Sequence, residues 1–428
     1  MLELAVLADD LTGGMMIASL IELAGVACPL ATTPDVLAPG AEAMVLARKI
    51  RLVNPEEARR EARAAAAAFA RLGARRIYSK YSALFDSTAR GNIGPIAEAL
   101  LAATGAARTV FCPAYVERDV TVYQGRLFVG PTPLAESFKR FDPATPAVTS
   151  NLVEALQTQT SVKVGLLPRK VLAAGKAAAE AWLADQTAPF LVVDAIDADD
   201  IDRIAALVLD WPLVTGGDSL APALARAWRR GAAPDPAASR RLLPPAPGFE
   251  AVIAGSCAPP TLIQLAEFER ANPLWRIDLA ADADAPDLSR GVLAWAAEHV
   301  AHGPVGVATS ADKAGVAAAQ ARFGRDGAAA RADALLAEIA AGLAALGVRK
   351  FVVAGGETSG AVLGALGASR LEVAAYDDLF GGYCHQRGPE PMSLVLKAGS
   401  IGGADFLMKA LARMRQADEQ GEEAAHDA

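Results

Sequence analysis

The sequence has few of the residues that build disulfide frameworks and metal sites. Its four cysteines, Cys28, Cys112, Cys257 and Cys384, lie far apart, and no two of them form a Cys-x-x-Cys pair. We therefore expect neither a disulfide scaffold nor a structural zinc site. Four histidines also leave little material for a histidine-based metal site, so we expect no metal-ligating residues. We interpret Cys112 and Cys257 as small buried side chains beside loops and not as nucleophiles.

Excess basic charge and long apolar runs are also missing. The net charge is −8, from 41 Lys and Arg against 49 Asp and Glu, whereas a general nucleic-acid binder carries a basic face. No apolar run is long enough to span a bilayer. The chain starts with an apolar strand where a secreted protein would have a basic, cleavable leader. We expect a cytoplasmic protein without nucleic-acid or membrane partners, and the sequence leaves a homodimer open.

The residues that are abundant predict a folded α/β protein. Hydrophobic residues make up 53% of the 428 residues and charged residues 21%, which is typical of globular domains, and the length exceeds one ordinary core. Short apolar runs, typical of strands buried on both faces of a parallel sheet, alternate with helical patterns. This alternation predicts mostly parallel sheets flanked by helices. Predicted helices cover about 15–24, 56–72, 94–104, 198–209 and 328–346.

A change of composition divides the chain. Residues 231–250 are rich in Pro, Ala and Arg and have no periodicity, which is typical of an interdomain linker. We predict an N-terminal domain over 1–232, a linker over 233–249 and a C-terminal domain over 250–415. We expect the polar residues 416–428 to be a frayed tail. Because open parallel sheets bind ligands at the carboxyl ends of their strands, the loops there are the candidate sites.

The first candidate is the carboxylate pair Asp9 and Asp10, between a strand and a helix. A single Asp at this place is most simply a helix cap, but capping explains a pair less easily. We predict that Asp10 orients or deprotonates a substrate hydroxyl and that Asp9 binds substrate.

The second candidate is the polar segment that begins at Lys80, within the predicted strand RRIYSKYSAL (75–84), and continues through the loop after it. Within nine residues it offers Asp86, Ser87 and Arg90 together with two glycines. Such a loop can hold a polyhydroxy acid, with Arg90 on the carboxylate and Asp86 and Ser87 on hydroxyls; a simple Asp-Ser-Thr helix cap is the alternative. Lys80 and Gln124 are further predicted substrate residues, although a purely structural loop explains Gln124 equally well.

Three Gly-rich turns follow strands in the second half of the chain. Glycine lets the backbone approach a phosphate, and a helix N-terminus favours its negative charge. None of the three is a Walker A loop or a GxGxxG turn, but three in one domain favour a nucleotide-phosphate pocket. A fourth turn, over 216–219, is equally well explained as a tight connection. The predicted nucleotide contacts are Ser256, Gly355, Gly356, Glu357, Thr358, Ser359 and Gly399.

Seven segments in this order resemble the four-carbon acid sugar kinases, formerly a family of unknown function, and within them the 3-oxo-tetronate kinases. No single segment is sufficient, but as a set they are specific and cover nearly the whole chain. They are ADDLTGG (8–14), KYSALFDSTARGNIGP (80–95), CPA (112–114), TVYQGRLFV (121–129), AGSC (254–257), GGETSGAVL (355–363) and LKAGSIGGADF (396–406).

The resemblance implies a two-domain α/β kinase. Its N-terminal domain would bind a small sugar acid, its C-terminal domain would bind ATP with Mg²⁺, and transfer would occur in a ligand cleft between them. Asp10 and the loop 86–90 would then be substrate residues. The nucleotide contacts would be Ser256, residues 356–359 and Gly399.

The chain also departs from the family pattern. Met15 and Met16 stand where a second acidic residue is usual, and residues 117–120, 380–385 and 398–402 differ as well. These departures keep two alternatives open: a kinase for a branched or five-carbon oxo-acid, and a non-catalytic binding protein. A dehydrogenase is a third alternative, because such enzymes share the α/β pattern and the Gly-rich turns. The absence of a GxGxxG turn followed by an acidic residue counts against the dehydrogenase.

Overall fold

The computed structural model describes residues 1–230, 238–282 and 287–426. The chain forms two units, Met1–Ser239 and Arg240–Ala428, and the predicted two-domain α/β class is confirmed. The domain boundaries and the ligand cleft stay predictions. Residues 233–237 of the predicted linker lie outside the described residues.

The first unit is built on a parallel sheet with helices. Eight strands pair in the order β2-β3-β1-β4-β11-β5-β10-β9, and β6, β7 and β8 form a separate antiparallel sheet. The strands are β1 (Leu4–Ala8), β2 (Leu30–Ala31), β3 (Ala43–Ala47), β4 (Ile77–Lys80), β5 (Thr109–Cys112), β6 (Val120–Tyr123), β7 (Arg126–Val129), β8 (Thr132–Pro133), β9 (Val164–Leu167), β10 (Phe190–Val193) and β11 (Leu213–Gly216). The helices are α1 (Leu11–Leu23), α2 (Pro55–Arg71), α3 (Ile93–Thr104), α4 (Leu152–Gln157), α5 (Arg169–Ala173), α6 (Lys176–Ala184), α7 (Ala198–Val208) and α8 (Leu220–Trp228).

The register of this sheet brings four strand ends to one edge. Ala8 pairs with Ala47 and with Lys80, and Lys80 pairs with Gly216. The loops that follow β1, β3, β4 and β11 therefore start side by side. Parallel pairing in register is the physical reason that residues distant in sequence can share a site here.

Local sequence signals explain the helices that cover this sheet. The Asn54 side chain caps α2, Pro55 occupies its first turn, and Phe69 and five of its alanines are buried. Both choices are favoured at a helix start. The apolar faces of α2 and α3 join residues of β1, β3 and β4 in one hydrophobic core.

The second unit contains a mixed sheet in the order β13-β14-β12-β15-β18-β17-β16. The first five strands are parallel, and β17 runs antiparallel to both of its neighbours. The strands are β12 (Phe249–Ala254), β13 (Leu274–Arg276), β14 (Val305–Ala308), β15 (Val348–Ala354), β16 (Arg370–Val373), β17 (Tyr383–Gln386) and β18 (Met392–Lys397). The helices are α9 (Pro259–Glu269), α10 (Leu288–His299), α11 (Lys313–Phe323), α12 (Arg325–Ala345), α13 (Gly356–Ala365) and α14 (Phe406–His426).

The frayed tail expected over 416–428 is wrong as far as residue 426, because α14 continues to His426. Lys350 Nζ lies 2.6 Å from Asp418 Oδ2, and the Ala246 backbone N–H donates to Asp418 Oδ1 at 2.7 Å. These contacts hold the polar end of the helix against the unit. Residues 427 and 428 lie outside the described residues.

The other predicted helices occur within a few residues of their predicted bounds. The largest shift at a start is in α1, which begins at Leu11 and not at 15, because Asp10 caps it. In the described ranges, no helix is both long and apolar enough to cross a membrane.

Candidate functional site

A cluster of charged side chains lies at the carboxyl ends of β1, β3 and β4. Arg51 is at its centre, and its Nε and Nη2 donate to the two carboxylate oxygens of Asp9 at 2.9 and 2.7 Å. Its Nη1 lies 2.8 Å from Asp10 Oδ2 and 3.8 Å from Asp86 Oδ2. The structure thus brings the predicted residues Asp9, Asp10 and Asp86 together around an arginine that the sequence reading missed.

Burial and charge act in opposite directions in this cluster. Burial raises the pKa of the Asp9 carboxyl, and the adjacent Arg51 offsets only part of that rise. Burial by itself would lower the pKa of Arg51, but Asp9, Asp10 and Asp86 raise it well above its usual range. Arg51 therefore stays protonated and compensates the carboxylates around it.

Asp10 makes two contacts and is still accessible to a ligand. Its Oδ1 accepts a hydrogen bond from the Gly13 N–H at 2.6 Å, so the capping interpretation is right for this oxygen. Its Oδ2 faces Arg51. The Asp10 side chain is 31% exposed against 6% for Asp9, so Asp10 is the carboxylate of the pair that a ligand can reach.

Lys80 links this edge of the sheet to the loop after β11. It is buried, its Nζ donates to the Tyr81 carbonyl at 2.7 Å, and the same Nζ lies 3.2 Å from Asp218 Oδ1. Burial raises the pKa of Asp218, and Lys80 offsets part of the rise. The 216–219 turn, which the sequence left open, is therefore tied to the strand that carries Lys80.

Lys139 is a second cation that the sequence reading missed. Its Nζ lies 2.7 Å from Asp86 Oδ1 and 2.7 Å from Asp142 Oδ2, and it donates to Thr145 Oγ1 at 2.8 Å. Lys139 is buried. For Asp142, burial opposes ionisation, but hydrogen bonds from Lys139 and the backbone prevail and lower its pKa to about 2.

The two loops that carry the charged cluster are joined by Asn92. Its buried Nδ2 donates to the carbonyls of Ile50, Arg51 and Val53 at 2.8, 3.2 and 2.8 Å. Asn92 lies six residues after Asp86, so one side chain fixes both the arginine loop and the aspartate loop. The sequence signal that could have identified Asn92 was its position in the GNIG segment, residues 91–94.

The other predicted substrate residues have different surroundings. The Ser87 Oγ is buried and has no hydrogen-bond partner within the described part of the chain, whereas Arg90 is exposed. Gln124 is exposed and has a φ of 52° in the two-residue turn between β6 and β7, followed by Gly125 at 70°. That conformation is typical of the tight turns that join antiparallel strands, so the structural explanation of Gln124 gains support.

The three Gly-rich turns of the second unit are packed against one another. The N–H groups of Gly255 and Ser256 both donate to the Ala354 carbonyl, and the Gly355 N–H donates to the Lys397 carbonyl. A Cβ at Gly255 would collide with Thr358 Oγ1, and a Cβ at Gly399 would collide with Ser256 Oγ. Glycine is needed at both places because the neighbouring turns approach so closely.

Two of the predicted nucleotide contacts support the turns internally. Thr358 Oγ1 donates to Asp333 Oδ1 at 2.8 Å, and Ser359 Oγ donates to the Gly355 carbonyl at 2.7 Å. Both side chains are buried. Gly356 and Glu357, at the first turn of α13, are exposed.

Lys397 places a buried cation beside the Gly399 turn. Its Nζ donates to Thr261 Oγ1 at 3.0 Å and to the Gly399 carbonyl at 3.4 Å, and it lies 5.9 Å from the centroid of the Phe406 ring. The side chain is 1% exposed, and burial lowers its pKa to about 8. Burying a charge is unfavourable unless it is compensated, so this lysine favours an anion in its vicinity.

A cavity of about 480 Å³ lies beyond the ends of β12, β13 and β14. Thr309 and Ser310 line it, and their buried hydroxyls have no hydrogen-bond partner among the residues that the structure describes. Apolar side chains with a few convergent polar groups are typical of small-molecule sites. The residues that line the cavity were not predicted from the sequence, apart from those of the turn at Gly255. The apolar lining includes Ile277, Leu279, Val316, Ala319, Ala328 and Ala332.

The interpretation of the cysteines is half right. Cys112 is buried, and burial raises its pKa to about 12, as expected for an unreactive thiol. Cys257 is exposed and borders the 480 Å³ cavity, so its interpretation as a buried side chain is wrong. The structure places it one residue beyond Ser256, where the strand has ended and the turn faces outward. Among the described residues, His, Cys, Asp and Glu side chains form no group of three or more suited to a metal ion.

Two family models together match most of the chain. Residues 4–224 match a sugar-binding N-terminal domain, and residues 251–407 match a nucleotide-binding C-terminal domain. The charged cluster around Arg51 lies in the first match. The Gly-rich turns and the 480 Å³ cavity lie in the second.

Curated relatives and solved structures agree with these matches. The chain is 39% identical to a 3-oxo-tetronate kinase of Burkholderia multivorans over 95% of this chain and 96% of the relative. It is 38% identical to a 3-oxo-tetronate kinase of Pseudomonas fluorescens over 96% and 97%. A solved structure from Salmonella typhimurium matches with a TM-score of 0.84 at 32% identity, over 96% of this chain and 99% of that one.

Proposed function

The chain belongs to the four-carbon acid sugar kinase family, and we propose that it transfers the γ-phosphoryl group of ATP to an alcohol hydroxyl of a 3-oxo-tetronate. It is a sugar-acid kinase; the particular acid and the hydroxyl acceptor are the proposed part. The observation that carries the proposal is the full-length similarity to 3-oxo-tetronate kinases, at 32–39% identity. The non-catalytic alternative and the dehydrogenase receive no support from these relatives.

The substrate side of the proposal rests on the loop after β4. Arg90 is exposed and can pair with the carboxylate of the acid in a charge-assisted hydrogen bond. The buried Ser87 hydroxyl has no partner and can bond a substrate hydroxyl. Asp86, which Lys139 and Arg51 hold in place, supplies an acceptor for another hydroxyl.

Asp10 is the proposed catalytic residue. Its carboxylate is the accessible member of the pair, and Arg51 and the Gly13 N–H hold it in position. In this position it orients the attacking hydroxyl and accepts its proton as the phosphorus–oxygen bond forms. Asp9 is buried against Arg51, so its contribution is to position that arginine.

The nucleotide side of the proposal rests on the second unit. The 480 Å³ cavity, with the partnerless Thr309 and Ser310 hydroxyls, is suited to the base and ribose. Ser256 and the turns at 355–359 and Gly399 are suited to the phosphates, and Lys397 offsets part of their charge. Mg²⁺ would be brought by ATP, would be held by phosphate oxygens, waters and one or two carboxylates, and would neutralise charge on the phosphates. A cytoplasmic location belongs to the same proposal.

A branched or five-carbon oxo-acid is the second candidate substrate. Ser87 and Lys139 border a cavity of about 250 Å³ that is lined mainly by apolar side chains of the loops 84–89 and 145–149. A longer or branched carbon chain would find room there. A four-carbon acid would leave that space to water.

The test is coupled ADP release from Mg-ATP with a panel of four- and five-carbon aldonates and their 3-oxo forms. We expect turnover that is fastest with a four-carbon 3-oxo acid and is lost in Asp10→Asn. Fastest turnover with a five-carbon or branched acid would establish the second candidate. ATP binding with no turnover on any acid of the panel would contradict the proposed substrate class.

A further inference from the structure

Cys257 differs from the other cysteines of the chain. The structure describes all four, and Cys28, Cys112 and Cys384 are buried, whereas Cys257 is exposed. Burial raises the pKa of each of the three buried thiols. A reagent that modifies thiols in the folded protein will therefore meet Cys257 first.

Cys257, in the loop after β12, contacts the loop after β14. The Ala311 backbone N–H donates to Cys257 Sγ at 3.4 Å. Helix α9 begins at Pro259, two residues further on. Charged side chains of both signs border the same cavity, so neither positive nor negative charge is in strong excess there. They are Arg276, Asp278, Asp312 and Arg325.

A second observation marks this place as a ligand site. Thr309 and Ser310 also line the cavity that Cys257 borders. These residues are 5% and 7% exposed, and neither hydroxyl has a hydrogen-bond partner among the described residues. Buried polar groups are normally paired in native proteins, so two unpaired hydroxyls in this lining favour a polar ligand as their partner. That the ligand is a nucleotide rests on the proposed function.

We propose that Cys257 is a thiol-modification site at the nucleotide pocket, where a mixed disulfide with a small disulfide excludes ATP. The Cys257 thiolate attacks one sulfur of the small disulfide, and the new S–S bond forms as the old one breaks. The departing thiolate takes up a proton from water. A thiol reductant reverses the exchange and frees the cavity.

The experiment uses the full chain with oxidised glutathione as the probe. After treatment, peptide mapping locates the adduct, and calorimetry measures ATP binding without any sugar acid. We expect the adduct at Cys257, slower adduct formation when Mg-ATP is present, and a loss of ATP affinity of roughly tenfold or more. Dithiothreitol should restore binding.

Cys257→Ser is the control variant. Its affinity for ATP is measured before and after treatment with oxidised glutathione, and the two values should be equal. An adduct at another cysteine, equal rates with and without Mg-ATP, or full ATP affinity after complete modification would each overturn the proposal. Absence of ATP binding before treatment would instead overturn the proposed nucleotide site and, with it, the competition. The mapped adduct would still decide whether Cys257 is the modified thiol.

Discussion

Arg51 sets the charge balance of the substrate side. It makes two hydrogen bonds to buried Asp9, an ion pair with Asp10 and a longer contact with Asp86. Three carboxylates this close would repel one another without it. The arginine therefore compensates the charge of the carboxylates around it.

Replacing Arg51 should lower the free energy of unfolding of the protein. In Arg51→Met, Asp9 would be left buried and unpaired, so we expect a loss of about 3 kcal/mol in the free energy of unfolding, measured in urea. Arg48→Met is the matched control, because its ion pair with Glu61 is partly exposed and should contribute about 1 kcal/mol or less. Equal losses in the two variants would contradict the central role of Arg51.

Lys397 should give the stability of the protein a specific pH dependence. Burial lowers its folded-state pKa from 10.5 to about 8, so between these values the unfolded state binds more protons and stability rises with pH. Below pH 8 the buried ammonium destabilises the fold by roughly 2–3 kcal/mol.

The measurement is the difference in unfolding free energy between wild type and Lys397→Met. It should grow in favour of the wild type as the pH rises from about 8 to about 10. Lys409→Met, which removes a half-exposed lysine, is the control and should show a nearly flat difference. A flat difference for Lys397→Met as well would show that its charge is compensated in the fold.

At the scale of elements, the turns at the strand ends position the site. The Gly-rich turns after β12, β15 and β18 interlock through backbone hydrogen bonds and through contacts in which a Cβ would collide. The Asn92 side chain similarly locks the loops after β3 and β4. The sheets determine where each loop starts, and these contacts determine the path that the loop follows.

Gly255→Ala tests the interlocking of the turns. The new Cβ would collide with Thr358 Oγ1 and disturb its hydrogen bond to Asp333, which should cost about 1–3 kcal/mol of stability. It should also raise KM for ATP while KM for the acid stays unchanged. In the control Gly364→Ala, within α13, a Cβ meets open space, so stability should rise by up to about 1 kcal/mol. Unaltered KM for ATP in Gly255→Ala would remove this turn from the phosphate site.

Local signals at this scale predicted most helices and failed in identifiable places. The polar end of α14 has no apolar periodicity of its own and is held by Asp418 through contacts with Lys350 and Ala246. The antiparallel pairs β6–β7 and β16–β17 were also missed. Their pairing partners, and not their composition, define them.

For the whole molecule, ligand binding should stabilise the fold through two independent sites. A ligand present at 100 times its Kd stabilises the native state by roughly 2.7 kcal/mol. We expect this gain from Mg-ATP and from the acid separately, measured as shifts of the urea midpoint. Arg90→Ala should abolish the gain from the acid and keep that from Mg-ATP, and Gly255→Ala should do the reverse.

Arg60→Ala, which removes an exposed arginine of α2, is the control and should keep both gains. Full stabilisation of Arg90→Ala by the acid would show that another residue binds its carboxylate. Loss of both gains in one variant would show that the two sites do not act independently.

The sequence by itself determined the α/β class, most helices and the loops that carry chemistry. Apolar runs, caps and Gly-rich turns are local signals, so Asp10, Asp86, Ser87 and the turns at 255 and 399 could be found without a structure. Only the tertiary structure decided how these residues are used. Arg51, Lys139 and Lys397 acquire their partners through strand register and burial, and burial also encloses the hydroxyls of Thr309 and Ser310. Burial and register join residues far apart in the chain, and no local pattern records which residues will meet.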